Sequence, residues 1–433
     1  MKHRIWFKAL ALGAVLTFVA AACASDEEGG SGGEVDCATV EFGCVEVGAD
    51  DPINLGVSQV ISGADSTLGQ DQVNGINLAL DYRDGTFDGT NGQILGHDIT
   101  TTVEDDGCSA DGGQAAIGAL VADTSVVGII GTSCSSGALG VGDTIASEKG
   151  VLLFSGSNTN PALTAEGTHQ PFYARTAHND RIQGAIVAEF ALNERGATTA
   201  ATIADESPYT QGLVAAFEQN FEAGGGTITG SEQVNSEDTD FKAPLRSLAE
   251  GSPDVLYFPI FVAACTLVIK QANEIMPDTE RIVSDGCLSS DTLKNAGADA
   301  EGVFASSPDP SGTASDFYAD EFLPAYQEAF GSAPLSVFHA HAYDATNILL
   351  NAVEAVAIEN DDGSLSIPRQ ALRDEVFATS GYEGVIGTFT CTELGDCATD
   401  VSIGIYEAPA WPVEGGTGDA TVYSDIKSLD EVL

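Results

Sequence analysis

The chain has 433 residues, long enough for two ordinary domains that each bury a core. Its 16 Lys plus Arg stand against 65 Asp plus Glu, a formal net charge of −49, which repels nucleic acid and anionic membrane surfaces and argues against both as partners. The hydrophobic fraction, 43%, is that of a globular protein, so the acidity is read as a solvated surface.

Lys2, Arg4 and Lys8 precede an apolar stretch, residues 9–22. It is short for a membrane span, which needs roughly 20 residues, and suits a secretory signal. It ends at Ala20, Ala21, Ala22 and Cys23, which resembles a bacterial lipobox and predicts lipidation of Cys23, although that pattern prefers Leu where Ala20 stands. Plain cleavage near Ala22 is the alternative. Residues 23–51 then read as an acidic, Gly- and Ser-rich flexible tether.

From residue 53 strands and helices alternate. Residues 53–58, 98–104, 126–130 and 151–154 read as strands, and 70–82, 113–122 and 138–148 as helices, the first with Val73, Ile76 and Leu80 at helical spacing. A second run starts at Asp180, with strands at 200–204, 228–233, 254–258 and 282–284 between helices at 182–192, 213–221 and 267–275. Alternation of this kind predicts α/β lobes built on parallel sheets covered on both faces. Two further helices follow, 314–330 and 338–357; His339 and His341 lie two apart on the second and share no face, so no metal site is expected. Residues 411–433 read as a surface tail.

The stretch 126–161 carries most of the functional signal. Its two strands each end in a polar loop, and in open α/β sheets that edge is where small ligands bind. The loops offer Thr132, Ser133, Ser135 and Ser136, then Ser155, Ser157, Asn158 and Thr159. Ser135 and Ser136 sit just before a helix, where free N–H groups favour an anion such as a carboxylate; ordinary capping explains the same residues.

Nine cysteines less Cys23 leave eight, an even number that in an exported chain suggests disulfides rather than metal ligation, and no CxxC spacing occurs. Cys37 and Cys44 flank a short loop, and Cys391 and Cys397 a hairpin turn. Catalysis finds little support: there is no GxSxG elbow, and residues 137–142 (GALGVG) lack the GxGxxG order, so neither a nucleophile nor a dinucleotide cofactor is expected.

Residues 131–137 (GTSCSSG) followed by 154–161 (FSGSNTNP) resemble the periplasmic leucine/isoleucine/valine-binding proteins, the amino-acid branch of the type I periplasmic binding proteins. Residues 53–63 (INLGVSQVISG), 92–108 (GQILGHDITTTVEDDGC) and 204–212 (ADESPYTQG) agree in order. The resemblance implies two Rossmann-like lobes, 52–174 with 309–384 and 175–308 with 385–413, joined by three crossings, and a tail at 414–433. It implies a disulfide between Cys108 and Cys134, each at the end of a first-lobe strand; Cys265 and Cys287, after consecutive second-lobe strands, pair by the same logic.

By position, Ser135 and Thr159 would hold a ligand carboxylate, helped by Ser136, Ser157 and the Asn158 carbonyl, while Asp285 would meet an ammonium and Tyr209 and Phe261 would wall the pocket. Phe261 stands where the family has Tyr, Leu68 replaces another aromatic, and Asp285 is shorter than the family's acid, so the ligand's side chain is left open. The implied function is that of a monomeric, lipid-anchored substrate-binding protein on the outer face of the plasma membrane, passing an amino acid to an ABC permease. Amides, urea or aromatic acids as ligands, or a free-standing sensor role, are the alternatives.

Overall fold

The computed structural model describes residues 37–398, 400–416 and 421–432. The expected signal segment, Cys23 and most of the expected tether lie outside the described residues.

Two sheets organise the chain. In the first, the strands Gln93–Ile94, His97–Asp105, Ile53–Gln59, Val126–Gly131, Leu153–Ser155 and Tyr173–Arg175 lie side by side in that order, parallel except for the short first one. Ile53–Gln59 and Val126–Gly131 are buried at every position, because helices cover both faces; this is why Val126–Gly131 reads as a continuous apolar run, while Ile53–Gln59 also buries the polar Asn54, Ser58 and Gln59. The second sheet runs Thr421–Ser428, Asp400–Glu407, Val303–Pro308, Glu280–Val283, Val255–Tyr257, Thr199–Ala204 and Thr227–Gln233. Its last five strands are parallel and the first two antiparallel.

In both sheets the strand order reverses beside the first strand of the run: between Ile53–Gln59 and Val126–Gly131, and between Thr199–Ala204 and Val255–Tyr257. Loops leaving neighbouring strands at such a point diverge and open a crevice. Helix His339–Val356 packs on the first sheet, and its Ala342, Ala345, Leu349 and Val353 join Ile53, Leu55, Ile130 and Phe154 in one apolar core. The two lobes thus interleave along the chain.

Three expectations change. Cys44–Val47, taken as tether, is a strand paired with Leu365–Pro368, and its alternate Val45 and Val47 enter the first core. The return to the second lobe comes at Asp400, not residue 385: Phe389 and Cys397 pack into the first core beside Leu372 and Val376. The tail is not free either, since Thr421–Ser428 pairs with Asp400–Glu407 along its whole length, with Tyr423 turned against Phe190. All four expected disulfides are present, Cys37–Cys44, Cys108–Cys134, Cys265–Cys287 and Cys391–Cys397.

Candidate functional site

The first-lobe side of the crevice is built by the loops after Val126–Gly131 and Leu153–Ser155. Gly131 is there because a Cβ would stand 2.2 Å from the Ser58 carbonyl, and its φ of +149° is one few side chains adopt. Beyond it, Ser133 donates from its backbone N–H to Asp106 and from its hydroxyl to Gln59, and the Cys108–Cys134 bond ties the same loop down.

Most of the loop hydroxyls are spent on the loops themselves. Ser157 Oγ donates to the Ser133 carbonyl at 2.7 Å, Ser136 Oγ to the Cys108 carbonyl at 3.1 Å, and the Asn158 amide to the Thr132 carbonyl at 2.8 Å. Ser135 Oγ accepts the Asn160 N–H at 3.2 Å and keeps its own proton to give. Thr159 differs from all of these: its Oγ1 is buried and has no hydrogen-bond partner.

Beneath the loop sits Arg175, fully buried, donating to the carbonyls of Asn158 and Asn160 at 3.1 and 2.9 Å, to Thr164 Oγ1 at 2.7 Å and to Asp396 at 2.6 Å. The guanidinium fork thereby fixes the curvature of residues 158–160 from behind.

The second lobe contributes Asp285, in the turn just after Glu280–Val283, Tyr209, in the first turn of helix Pro208–Ala223, and Phe261, just before helix Val262–Ile275, the last two on either side of its own reversal point. Tyr209 and Phe261 rings lie 5.1 Å apart, and the Tyr209 hydroxyl is 2.6 Å from Ser284 Oγ. Three residues that the motif reading missed complete this side. Asp180, at the start of helix Asp180–Glu189, binds its N–H to the Thr159 carbonyl, and both its carboxylate oxygens are buried without a partner. Gln183, one turn on, donates to Asp285 Oδ1 at 2.7 Å, and the Tyr257 phenol lies in the field of both acids.

Burial dominates the electrostatics. It pushes Asp285 up to about 6, against the Gln183 hydrogen bond that favours the charged form. Asp180 is held well above the usual carboxylate range by burial and then by the Asp285 charge, with the nearby Thr159 hydroxyl opposing in part. Two acids in a dry site without a bound cation cannot both ionise cheaply.

An apolar wall adjoins this polar end. Val60, Leu68, Cys134, Ala177 and Phe338 cluster with Phe261 of the other lobe. The lobes are also bridged directly, Thr67 Oγ1 to Ser289 Oγ at 2.9 Å and Asn160 Nδ2 to the Pro208 carbonyl at 2.6 Å, so the crevice is closed. Cys134 is disulfide-bonded and offers no thiol, and His339 spends its ring nitrogens on Asp71 and Tyr318.

Residues 52–402 match the profile of a family described as periplasmic binding protein. The chain is 26% identical over 350 residues to the Leu/Ile/Val-binding protein homolog 3 of Brucella melitensis, covering 80% of this chain and 89% of that one. It is 25% identical to the leucine-, isoleucine-, valine-, threonine- and alanine-binding protein of Pseudomonas aeruginosa, over 76% and 84% of the two chains. The crystal structure of the leucine binding protein LivK from Thermotoga maritima superposes with a TM-score of 0.73 at 25% identity, over 88% of this chain and all of that one.

Proposed function

Because the chain belongs to the periplasmic binding protein family, we propose that it works outside the cytoplasm as the solute-capturing component of an ABC importer, and that its solute is an α-amino acid with an apolar side chain. The observation that carries this reading is the pairing across the crevice of the unpartnered Thr159 hydroxyl with the buried acids Asp180 and Asp285, beside an apolar wall drawn from both lobes. A zwitterion supplies what each part lacks. Its carboxylate takes the Ser135 and Thr159 hydroxyls, its ammonium lets the buried acids ionise, and its side chain lies against Leu68, Phe261 and Phe338. The names of the Brucella and Pseudomonas relatives point the same way.

Ligand first docks on the loops of one lobe, and rotation about the three crossings brings Asp285 onto it. Closure is a population shift driven by contacts that exist only when both lobes touch the ligand. The closed chain, a monomer tethered through lipidated Cys23, then delivers its cargo to a permease. The unmodified mass of a mature N-terminus other than Cys23 would remove the tether from this account.

Isothermal titration with leucine, isoleucine and valine, set against acetamide, urea and benzoate, tests the ligand class. Binding of the amino acids, with weaker or no heat from the others, is the expected result. Heat from benzoate or the amides alone would refute the role given to Asp285.

A further inference from the structure

Helix Ser66–Asp81 starts at the crevice, where Thr67 bridges to Ser289 of the second lobe and Leu68 joins the apolar wall. About one turn further on, the same helix carries Asp71, which is fully buried, and both of its carboxylate oxygens are committed. Oδ1 accepts the Tyr326 hydroxyl and the Leu335 N–H, each at 3.0 Å. Oδ2 accepts the N–H groups of Phe338 and His339 at 3.1 and 2.9 Å, and meets His339 Nδ1 at 3.0 Å.

Phe338 precedes helix His339–Val356 and gives it no side-chain cap, so Asp71 satisfies free N–H groups at that helix start from a neighbouring helix. Gly75 lets the two helices come this close, since a Cβ there would stand 2.0 Å from the His339 carbonyl. Burial works against a charged Asp71, yet the His339 ring and the hydrogen bonds outweigh it and hold the carboxyl below its ordinary range.

The residues that Asp71 fixes face the other lobe. The Pro334 carbonyl accepts the Glu414 N–H at 2.9 Å, and Ser336 Oγ donates to the Leu288 carbonyl at 3.4 Å. Val337 packs against the second-lobe core that holds Leu288, Trp411 and Val413, while Phe338 lies with Leu68 in the crevice wall. The receiving surface is itself braced by the Cys265–Cys287 bond, next to Leu288.

We propose that Asp71 is a positioning residue for solute capture: by fixing residues 334–338 it places Phe338 in the crevice wall and forms a catch, Pro334 to Val337, that holds the second lobe against the first. A carboxylate suits this task because it offers acceptors alone, whereas the amide of an Asn would turn a donor toward one pair of these groups. This role rests on the hinge-closing function proposed above. The catch contacts exist only with the lobes together, so they stabilise the shut form and add nothing to the first encounter of solute with one lobe. Their loss speeds release and leaves association nearly as it was.

Two rates measured on the mature chain test this: association of radiolabelled leucine by rapid mixing and filtration, and its release into excess unlabelled leucine. Asp71→Asn is expected to release leucine about tenfold faster, with association changed less than about twofold. Val337→Ser leaves every Asp71 bond in place and is expected to show the same split, with release several times faster. Release at the wild-type rate in either variant, or a loss of affinity carried by slower association, overturns the proposal. Should Asp71→Asn fail to fold, hydrogen exchange of the wild-type chain decides for Asp71: the Leu335 and Phe338 amides stay protected with and without leucine, and exchange of either as fast as an exposed loop amide overturns its role. If leucine does not bind wild type, the amino-acid reading falls and small-angle scattering decides the catch: a larger radius of gyration in the two variants supports it, and radii equal to wild type overturn it.

Discussion

Gln183 donates to Asp285 at 2.7 Å from the first turns of a helix that begins at the first crossing. The bond favours the ionised acid, yet burial outweighs it and leaves Asp285 at about 6. The amide is itself held by His178, so the acid is positioned in advance, and in the proposed function the ligand's ammonium neutralises it.

Asp285→Asn keeps the shape and removes the charge. The variant is expected to lose roughly a hundredfold in leucine affinity by titration calorimetry, in line with about 2 to 5 kcal/mol for truncating a buried charged pair. Its ligand-free melting temperature is expected to hold or rise, because the wild-type fold bears the cost of a buried carboxylate. Unchanged affinity would mean that Asp180 alone meets the ammonium.

The same acids set a pH dependence. Both folded pKa values lie above the ordinary value, so the ligand-free fold holds protons that the unfolded chain releases; the contribution favours the fold at acid pH and, for Asp285, is withdrawn as pH rises from about 4 through about 6, with Asp180 contributing in the same direction. A bound ammonium favours the ionised form, which reverses the trend for binding. Leucine affinity is expected to be flat above about pH 7 and to fall below about pH 6, approaching tenfold per pH unit for one linked proton. Calorimetry in buffers of different ionisation enthalpy would detect the proton released on binding near pH 5.5.

The first-lobe loops were legible because buried parallel strands are unbroken apolar runs, and Val126–Gly131 ends in Gly where hydroxyl residues begin. The Cys37–Cys44 and Cys391–Cys397 disulfides were legible from cysteines flanking short loops, and Cys108–Cys134 from the family resemblance. Asp180 was not: an Asp after Asn179 reads as an acid in a first helical turn, and only the crossing carries it to Asp285. Hydroxyls looked equivalent in the sequence, whereas the fold spends Ser136 and Ser157 on carbonyls and leaves Thr159 free. Cys44–Val47 is four residues long, too short to show a period, and becomes core only by pairing with a strand far along the chain. In Thr421–Ser428 the apolar Val422 and Ile426 face outward, which hides an edge strand among polar residues.

Thr159 and Ser157 are therefore expected to separate binding from stability. Thr159→Val removes a hydroxyl with no partner in the ligand-free chain, so it should leave the melting temperature nearly unchanged and weaken leucine binding by about 1 to 2 kcal/mol. Ser157→Ala breaks a 2.7 Å bond to the Ser133 carbonyl in a buried loop, and should cost about 1 kcal/mol or more in guanidinium unfolding. Equal effects of both variants on stability would place Thr159 in the loop's own bonding instead.

Arg175 carries the last prediction. It is buried, and its partners span the ligand loop, Thr164 and Asp396 at the third crossing, next to the Cys391–Cys397 bond. Arg175→Leu leaves the buried Asp396 charge unpaired and frees two loop carbonyls, for an expected loss of about 3 to 5 kcal/mol in guanidinium unfolding. Asp396→Asn should be milder, since an amide oxygen still accepts from Arg175 Nε. Arg175→Lys should fall between them in stability yet bind leucine poorly, because one ammonium cannot reach Asn158, Asn160 and Asp396 at once and the curve of the loop beneath Thr159 relaxes. A lysine variant with wild-type affinity would show that the disulfides and the backbone, without the guanidinium, are enough to shape the loop.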